Sequence, residues 1–95
     1  MPNFDFYNVA CYRDKSKGRL VIRGEVKNNS GRNWGVVAVR VILFNKSMPM
    51  LNTLIVVNGV LDGRTKSFEK YLEEADYDSI AAKITRIEAI VDSFF

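Results

Sequence analysis

The chain contains no histidine and a single cysteine, Cys11. A Ser-His-Asp triad, a Cys-His pair, imidazole acid–base work and a Cys/His zinc cluster are therefore excluded. One cysteine cannot close an intrachain disulfide, so apolar burial must hold the fold together. The two prolines are Pro2, near the terminus, and Pro49, in a segment that reads as a turn. Long apolar runs are missing too. Val36–Val39 and Val41–Phe44 are split by Arg40, and neither approaches the ~20 residues of a membrane span. The opening residues, MPNFDFYNVA, have no basic stretch leading into an apolar one, so they do not read as a secretory signal. With Met1 as the native start the expectation is a cytoplasmic protein; with residues upstream of it, an exported or cell-surface one.

What is present is apolar and mildly basic. Of 95 residues, 47% are hydrophobic, enough to build one core, and the whole of 1–95 reads as one domain. Fourteen basic side chains against 11 acidic ones give a net charge of +3, a thinner excess than a dedicated nucleic-acid binder carries.

The dominant pattern is alternation with period two, the mark of half-buried strands. Phe4, Phe6, Asn8 and Ala10 share one parity in a first strand whose inward face the pattern does not decide. Leu20, Ile22, Gly24 and Val26 share one face of a second strand, with Arg23, Glu25 and Lys27 on the other. Asn28 to Asn33 gathers turn formers. A third strand over Gly35–Asn45 has an apolar face of Val37, Val39, Val41 and Leu43, and its other face (Val36, Ala38, Arg40, Ile42, Phe44) is apolar enough to be partly covered. That predicts a central strand.

Lys46–Met50 reads as a turn, Leu54–Val57 as a short strand, Leu61–Arg64 as a turn and Thr65–Leu72 as a strand. Tyr77, Ile80, Ala81 and Ile84 have helical spacing behind Asp76, predicting a short helical crossing near residues 76–83 before a last strand at Thr85–Asp92. Six to seven short strands with one such crossing predict an all-β, antiparallel, immunoglobulin-like sandwich. The alternative is an α+β roll with the helix packed on one sheet.

Three segments carry a resemblance. Gly24-Glu25-Val26-Lys27-Asn28-Asn29-Ser30 resembles the G-x-V-x-N-x-S strand and turn of the FxLYD domain family. Val41-Ile42-Leu43-Phe44-Asn45 lies where the motif that names the family belongs, with Val for the first aromatic, Phe for Tyr and Asn for Asp. Leu61-Asp62-Gly63-Arg64-Thr65-Lys66-Ser67-Phe68 is similar to the family's L-x-P-G-x-S-x-x-F, with Asp62 where proline is common. The resemblance implies an immunoglobulin-like sandwich of bacterial or archaeal proteins, usually exported or surface-tethered, with no catalytic residues and no cofactor to carry over. Its motif positions look architectural.

Several residues invite a functional reading. Arg13, Lys15, Lys17, Arg19, Arg23, Lys27 and Arg32 are opposed only by Asp14 and Glu25. On a hairpin spanning 13–32, Arg19, Arg23 and Lys27 would line the outward face and could meet phosphates or anionic surfaces. No stacking aromatics interleave with these charges, as a single-strand binder requires, and a solvated face that protects a sheet edge is the better explanation. Glu73, Glu74, Asp76 and Asp78 could gather a hard cation but lack EF-hand spacing, so a solvated, helix-capping loop is favoured. Trp34 reads first as a plug at one end of the sandwich and second as a binding anchor; Cys11 reads as packing. Phe94 and Phe95 must point to opposite faces, so one packs inward and the other is exposed. With Ile90 and the second face of the third strand they suggest a homodimer surface. The expectation is a non-catalytic interaction or accessory domain with a protein partner, working through a sheet edge or the loops at Asn28–Trp34 and Leu61–Arg64. A binder of nucleic acid or anionic surfaces through the basic hairpin is the alternative.

Overall fold

Two stretches of strict alternation become the two central strands of the molecule. The computed structural model describes residues 4–95; Pro2 lies outside the described residues. Six strands are formed: β1 (Phe4–Arg13), β2 (Arg19–Asn28), β3 (Trp34–Asn45), β4 (Met48–Val60), β5 (Thr65–Asp76) and β6 (Arg86–Phe94). They make two antiparallel sheets, ordered β1-β2-β5 and β4-β3-β6. A short helix α1 (Tyr77–Ile80) and a 3-10 turn (Ala81–Lys83) carry the chain from the first sheet to the second. Two facing sheets exclude the single-sheet roll.

The core lies between the central strands. Leu20, Ile22 and Val26 of β2 and Val37, Val39, Val41 and Leu43 of β3 have no exposed surface. Ile55, Val57 and Val60 of β4 and Phe68, Leu72 and Ala75 of β5 complete it. Each such side chain contributes about 1.5–3 kcal/mol relative to an exposed one.

Gly24 has a reason in this packing. A Cβ there would stand 2.6 Å from Cζ of Phe68 and 2.9 Å from Cγ2 of Val9. Gly24 and Phe68 are register partners, and the ring lies where a side chain on β2 would otherwise be. Asn28 is the other fixed point, a fully buried polar residue with every side-chain valence used. Its Nδ2 donates to the carbonyls of Arg32 (2.6 Å) and Val60 (3.0 Å), and its Oδ1 accepts from the amide (2.9 Å) and hydroxyl (2.6 Å) of Ser30. The amide of Gly63, at φ 74°, donates to the Asn28 carbonyl at 2.7 Å. Asn28, Ser30 and Gly63 therefore clamp the β2–β3 and β4–β5 loops together.

The strands depart from the sequence pattern in identifiable places. Asn8 takes φ 55° and the β1–β2 register shifts between Tyr7 and Ala10. This bulge flips the parity, so Phe4 and Phe6 pack against the core before it, and Val9 and Cys11 after it. Phe4, Phe6, Asn8 and Ala10 are thus not one face. The expected turn Lys46–Met50 shrinks to Lys46 and Ser47, and β4 begins at Met48 rather than Leu54. Pro49 is accommodated because β4 is an edge strand, where a missing N–H breaks no ladder. The strand expected to end at Leu72 runs on to Asp76, and the last strand reaches Phe94.

Candidate functional site

Antiparallel pairing brings residues far apart in sequence into rows across the outer face of β1-β2-β5. Tyr12, Val21 and Tyr71 form one row; Ala10, Arg23 and Glu69 form the next. Tyr12 and Tyr71 are each 41% exposed while Val21 between them is buried, so two phenol rings bracket an apolar floor. The space between is an open groove of about 510 Å³, reaching Arg13 and Lys15 at the β1–β2 turn. A second hollow adjoins it across Tyr12, Arg23 and Glu69 and extends to Asn8 and Ser67.

Arg23 divides the two hollows and is held from two sides. Its guanidinium carbon lies 5.0 Å from the centre of the Tyr12 ring, and its Nε donates to Glu69 Oε2. The guanidinium is thus presented flat against the Tyr12 ring, with its remaining donors facing solvent. Farther along the face, Asn8 Nδ2 donates to Glu25 at 2.9 Å. At the groove's other end Asp14 Oδ2 accepts from the Lys17 amide (2.8 Å) and the Ser16 hydroxyl (3.0 Å), bonds that hold its carboxyl below the usual range. The Tyr71 phenol is pushed up, by desolvation first and then by the charges of Asp14 and Glu73, with Arg19 opposing. It remains a neutral hydrogen-bond donor at physiological pH.

The basic residues do not assemble into one continuous surface. Arg23 is paired with Glu69 and Arg13 with Asp78 (3.3 Å). Arg19 is half-buried at the start of β2, and Lys27 is half-buried between Asp5 and Thr65. Arg32 is exposed in the loop after β2, the length of the strand away from Lys15 and Lys17. The expectation that no aromatic interleaves with these charges is corrected by the sheet: Tyr12 and Tyr71 come from neighbouring strands to flank β2.

Trp34 is half-buried at the end of the sandwich. Its ring meets Phe94 edge-on at 4.5 Å, and its Nε1 donates to Ser30 at 3.0 Å. Phe94 also approaches Phe4 at 5.8 Å, so it is the inward member of the terminal pair, and Phe95 is 70% exposed. The end loops are tied to each other: Gly31 N–H donates to Asp62 (2.9 Å) and Asp62 N–H to Asn33 (2.8 Å). In the crossing, Asp76 accepts from the Ser79 hydroxyl at 2.7 Å and caps no backbone amide. Among the described residues, no three Cys, Asp or Glu side chains converge as metal ligands.

The outer face of β4-β3-β6 is different in character. Ile42, Leu54, Val56 and Ile90 surround Arg40, which bonds Asp92 (2.9 Å) and Asn52 (2.7 Å). The molecule thus has one tyrosine-lined face and one on which aliphatic side chains surround a central Arg40 ion pair. No described helix is long and apolar enough to cross a membrane.

Strand order and site together define a class: an antiparallel β-sandwich whose sheets follow the A-B-E and C′-C-F arrangement of immunoglobulin-type domains, bearing a tyrosine-bracketed groove on one face. Among solved structures the chain is similar to that of IrmA from Escherichia coli, with a TM-score of 0.67 and 12% identity over 98% of this chain and 80% of that one. At that identity the likeness concerns the fold. No family model matches the chain, and no curated protein matches it in sequence.

Proposed function

We propose that the protein is a non-catalytic interaction domain that docks a protein partner on the outer face of β1-β2-β5. The observation that carries this is the pair of half-exposed rings, Tyr12 and Tyr71, over the buried Val21, with Arg23 stacked on Tyr12 and paired with Glu69 beside them. Tyrosine and arginine are among the residues enriched at binding hot spots: tyrosine offers a large contact area at low ordering cost, and arginine a planar fork of hydrogen-bond donors. Affiliation with the FxLYD family is part of the proposal. Its support is that Gly24 meets Phe68, and Asn28, Ser30 and Gly63 form one clamp, as architectural motif positions should.

A photo-crosslinking residue in place of Tyr71, introduced in the source cells, should trap a protein partner, while the same residue in place of Val56 on the opposite face should not. With that partner purified, Tyr12→Ala and Tyr71→Ala should each weaken binding by about tenfold or more, as hot-spot truncations do. Equal trapping from both faces, or affinity indifferent to both tyrosines, would refute the proposal. Nucleic acid as the trapped species, with affinity falling steeply with salt, would favour the basic hairpin instead.

A further inference from the structure

The four sheet edges are finished to different degrees. β1 is broken by the bulge at Asn8. β4 carries Pro49 and a positive-φ Gly59, and its Leu54 carbonyl is occupied by Lys70 Nζ at 2.9 Å. β5 is lined with Lys66, Glu69, Lys70, Glu73 and Glu74. Bulges, prolines and lysines are the devices that keep an edge from pairing with another chain. β6 has no proline, glycine or lysine, and its one register shift against β3 falls at Asp92, leaving Arg86 to Val91 regular.

The seam beside β6 is open as well. Ile87, Ala89 and Val91 point toward the core yet are only half-buried, as are Phe6, Val9 and Cys11 of β1 opposite them. On the other side of the sandwich, Lys70 reaches from β5 to β4 and closes the corresponding gap. Ile90, on the outer side of β6, is 49% exposed.

The charges along β6 state which occupant fits. Its outer side reads Arg86, Glu88, Ile90 and Asp92. In a two-fold antiparallel pairing of β6 with itself centred on Ala89, Arg86 faces Asp92 of the second copy, twice, and Glu88 faces Ile90. Centring on Glu88 sets that carboxylate against its own copy, and centring on Ile90 sets Glu88 against Asp92. A centre between two residues would oppose inward with outward side chains. Centring on Ile87 overlaps β6 only over Arg86–Glu88, and centring on Val91 forms no opposite-charge pair, so among the longer overlaps Ala89 alone sets opposite charges face to face. We propose that β6 is the pairing edge of a homodimer, with the second copy antiparallel about a two-fold axis at Ala89, so that the two β4-β3-β6 sheets become one sheet of six strands.

Within one chain Arg86 holds Glu88 at 3.1 Å and Asp92 holds Arg40 at 2.9 Å, both in exposed positions. Exchanging such pairs across copies changes energy little. Charge therefore selects the register, while the added strand ladder and the covering of Ile87, Val91 and Phe6 supply the affinity.

Sedimentation equilibrium on the full chain tests this, with circular dichroism confirming that each variant is folded. The wild type should be a dimer, and Arg86→Glu, which sets a carboxylate against Asp92 twice, should weaken it by about tenfold or more. In a Cys11→Ser background, mild oxidation should link two chains in E88C/I90C but in neither E88C nor I90C alone. A wild type monomeric throughout, an Arg86→Glu dimer as tight as the wild type, or single-cysteine variants that cross-link as readily as the double one would overturn the proposal.

Discussion

Replacing Gly24 by alanine adds one methyl group in a place where the structure has already put something else. The new Cβ would lie 2.6 Å from Phe68 Cζ and 2.9 Å from Val9 Cγ2, separations that real Cβ atoms do not show. Phe68 is 6% exposed and meets Phe6 edge-on at 6.4 Å, so its ring can yield only by repacking against Phe6 or into the hollow it lines beside Gly24. Forcing a methyl group into such packing costs about 1–3 kcal/mol. Gly24 is not among the positive-φ glycines, so alanine brings no backbone strain and instead returns about 0.4–1 kcal/mol by restricting the unfolded chain. The expected net effect is a loss of about 1–2 kcal/mol, a fall in Tm of roughly 4–8 °C per kcal/mol for a domain of this size. Urea titration followed by circular dichroism measures it. If the ring is the obstacle, Phe68→Leu should cost less in the Gly24→Ala background than in the wild type, a coupling that a double-mutant cycle isolates. A Gly24→Ala protein as stable as the wild type, or a cycle with no coupling, would refute this account of β2–β5 packing.

Two further outcomes are expected. Asn28→Ala removes four side-chain hydrogen bonds and orphans the buried Val60 carbonyl, so it should destabilise the fold by about 3 kcal/mol in the same titration; a loss near zero would mean that the clamp contributes nothing net. Burial pushes the Cys11 thiol up from 9.0 to about 11. The unfolded chain then loses its thiol proton before the folded one does, so this contribution is fully present below pH 9 and falls away as pH rises toward 11. Cys11→Ser should flatten the stability–pH curve in that window, and identical slopes for the two proteins would show the thiol to be unshifted.

The sequence made the central strands legible because both are buried by the sheet that faces them. Leu20, Ile22 and Val26, like Val37, Val39, Val41 and Leu43, could alternate only one way. Edge strands obey weaker rules. In β1 both parities carry apolar side chains, so nothing in the letters announces that Asn8 adopts φ 55° and reverses the faces. Pro49 reads as a turn anywhere except at an edge, and edge status depends on pairings that local sequence does not contain. Trp34 as a plug and the opposed directions of Phe94 and Phe95 followed from their positions, and the structure agrees. The groove was not legible at all. Tyr12 and Tyr71 look unremarkable in their own strands and become neighbours of Val21 only through two separate registers. The signal that could have found them is their shared outward parity, usable only once β5 is known to lie beside β2.

That β2–β5 neighbourhood has a consequence for how the protein is made. Lys27 must wait for Thr65, and Arg19 for Asp76, before the first sheet has its second edge. The second sheet is still more delayed, since β3 gains β4 across a two-residue turn but gains β6 only after β5 and the helical crossing have been translated. A growing chain on the ribosome therefore carries the uncovered faces of Leu20, Ile22 and Val26 until β5 and the second sheet have formed. Contacts of such long span also place folding in the slow, millisecond-to-second regime of β-sandwiches. For this domain, the greatest risk falls in the moments before β5 and β6 emerge, when two half-built sheets have nothing but other chains to bury themselves against.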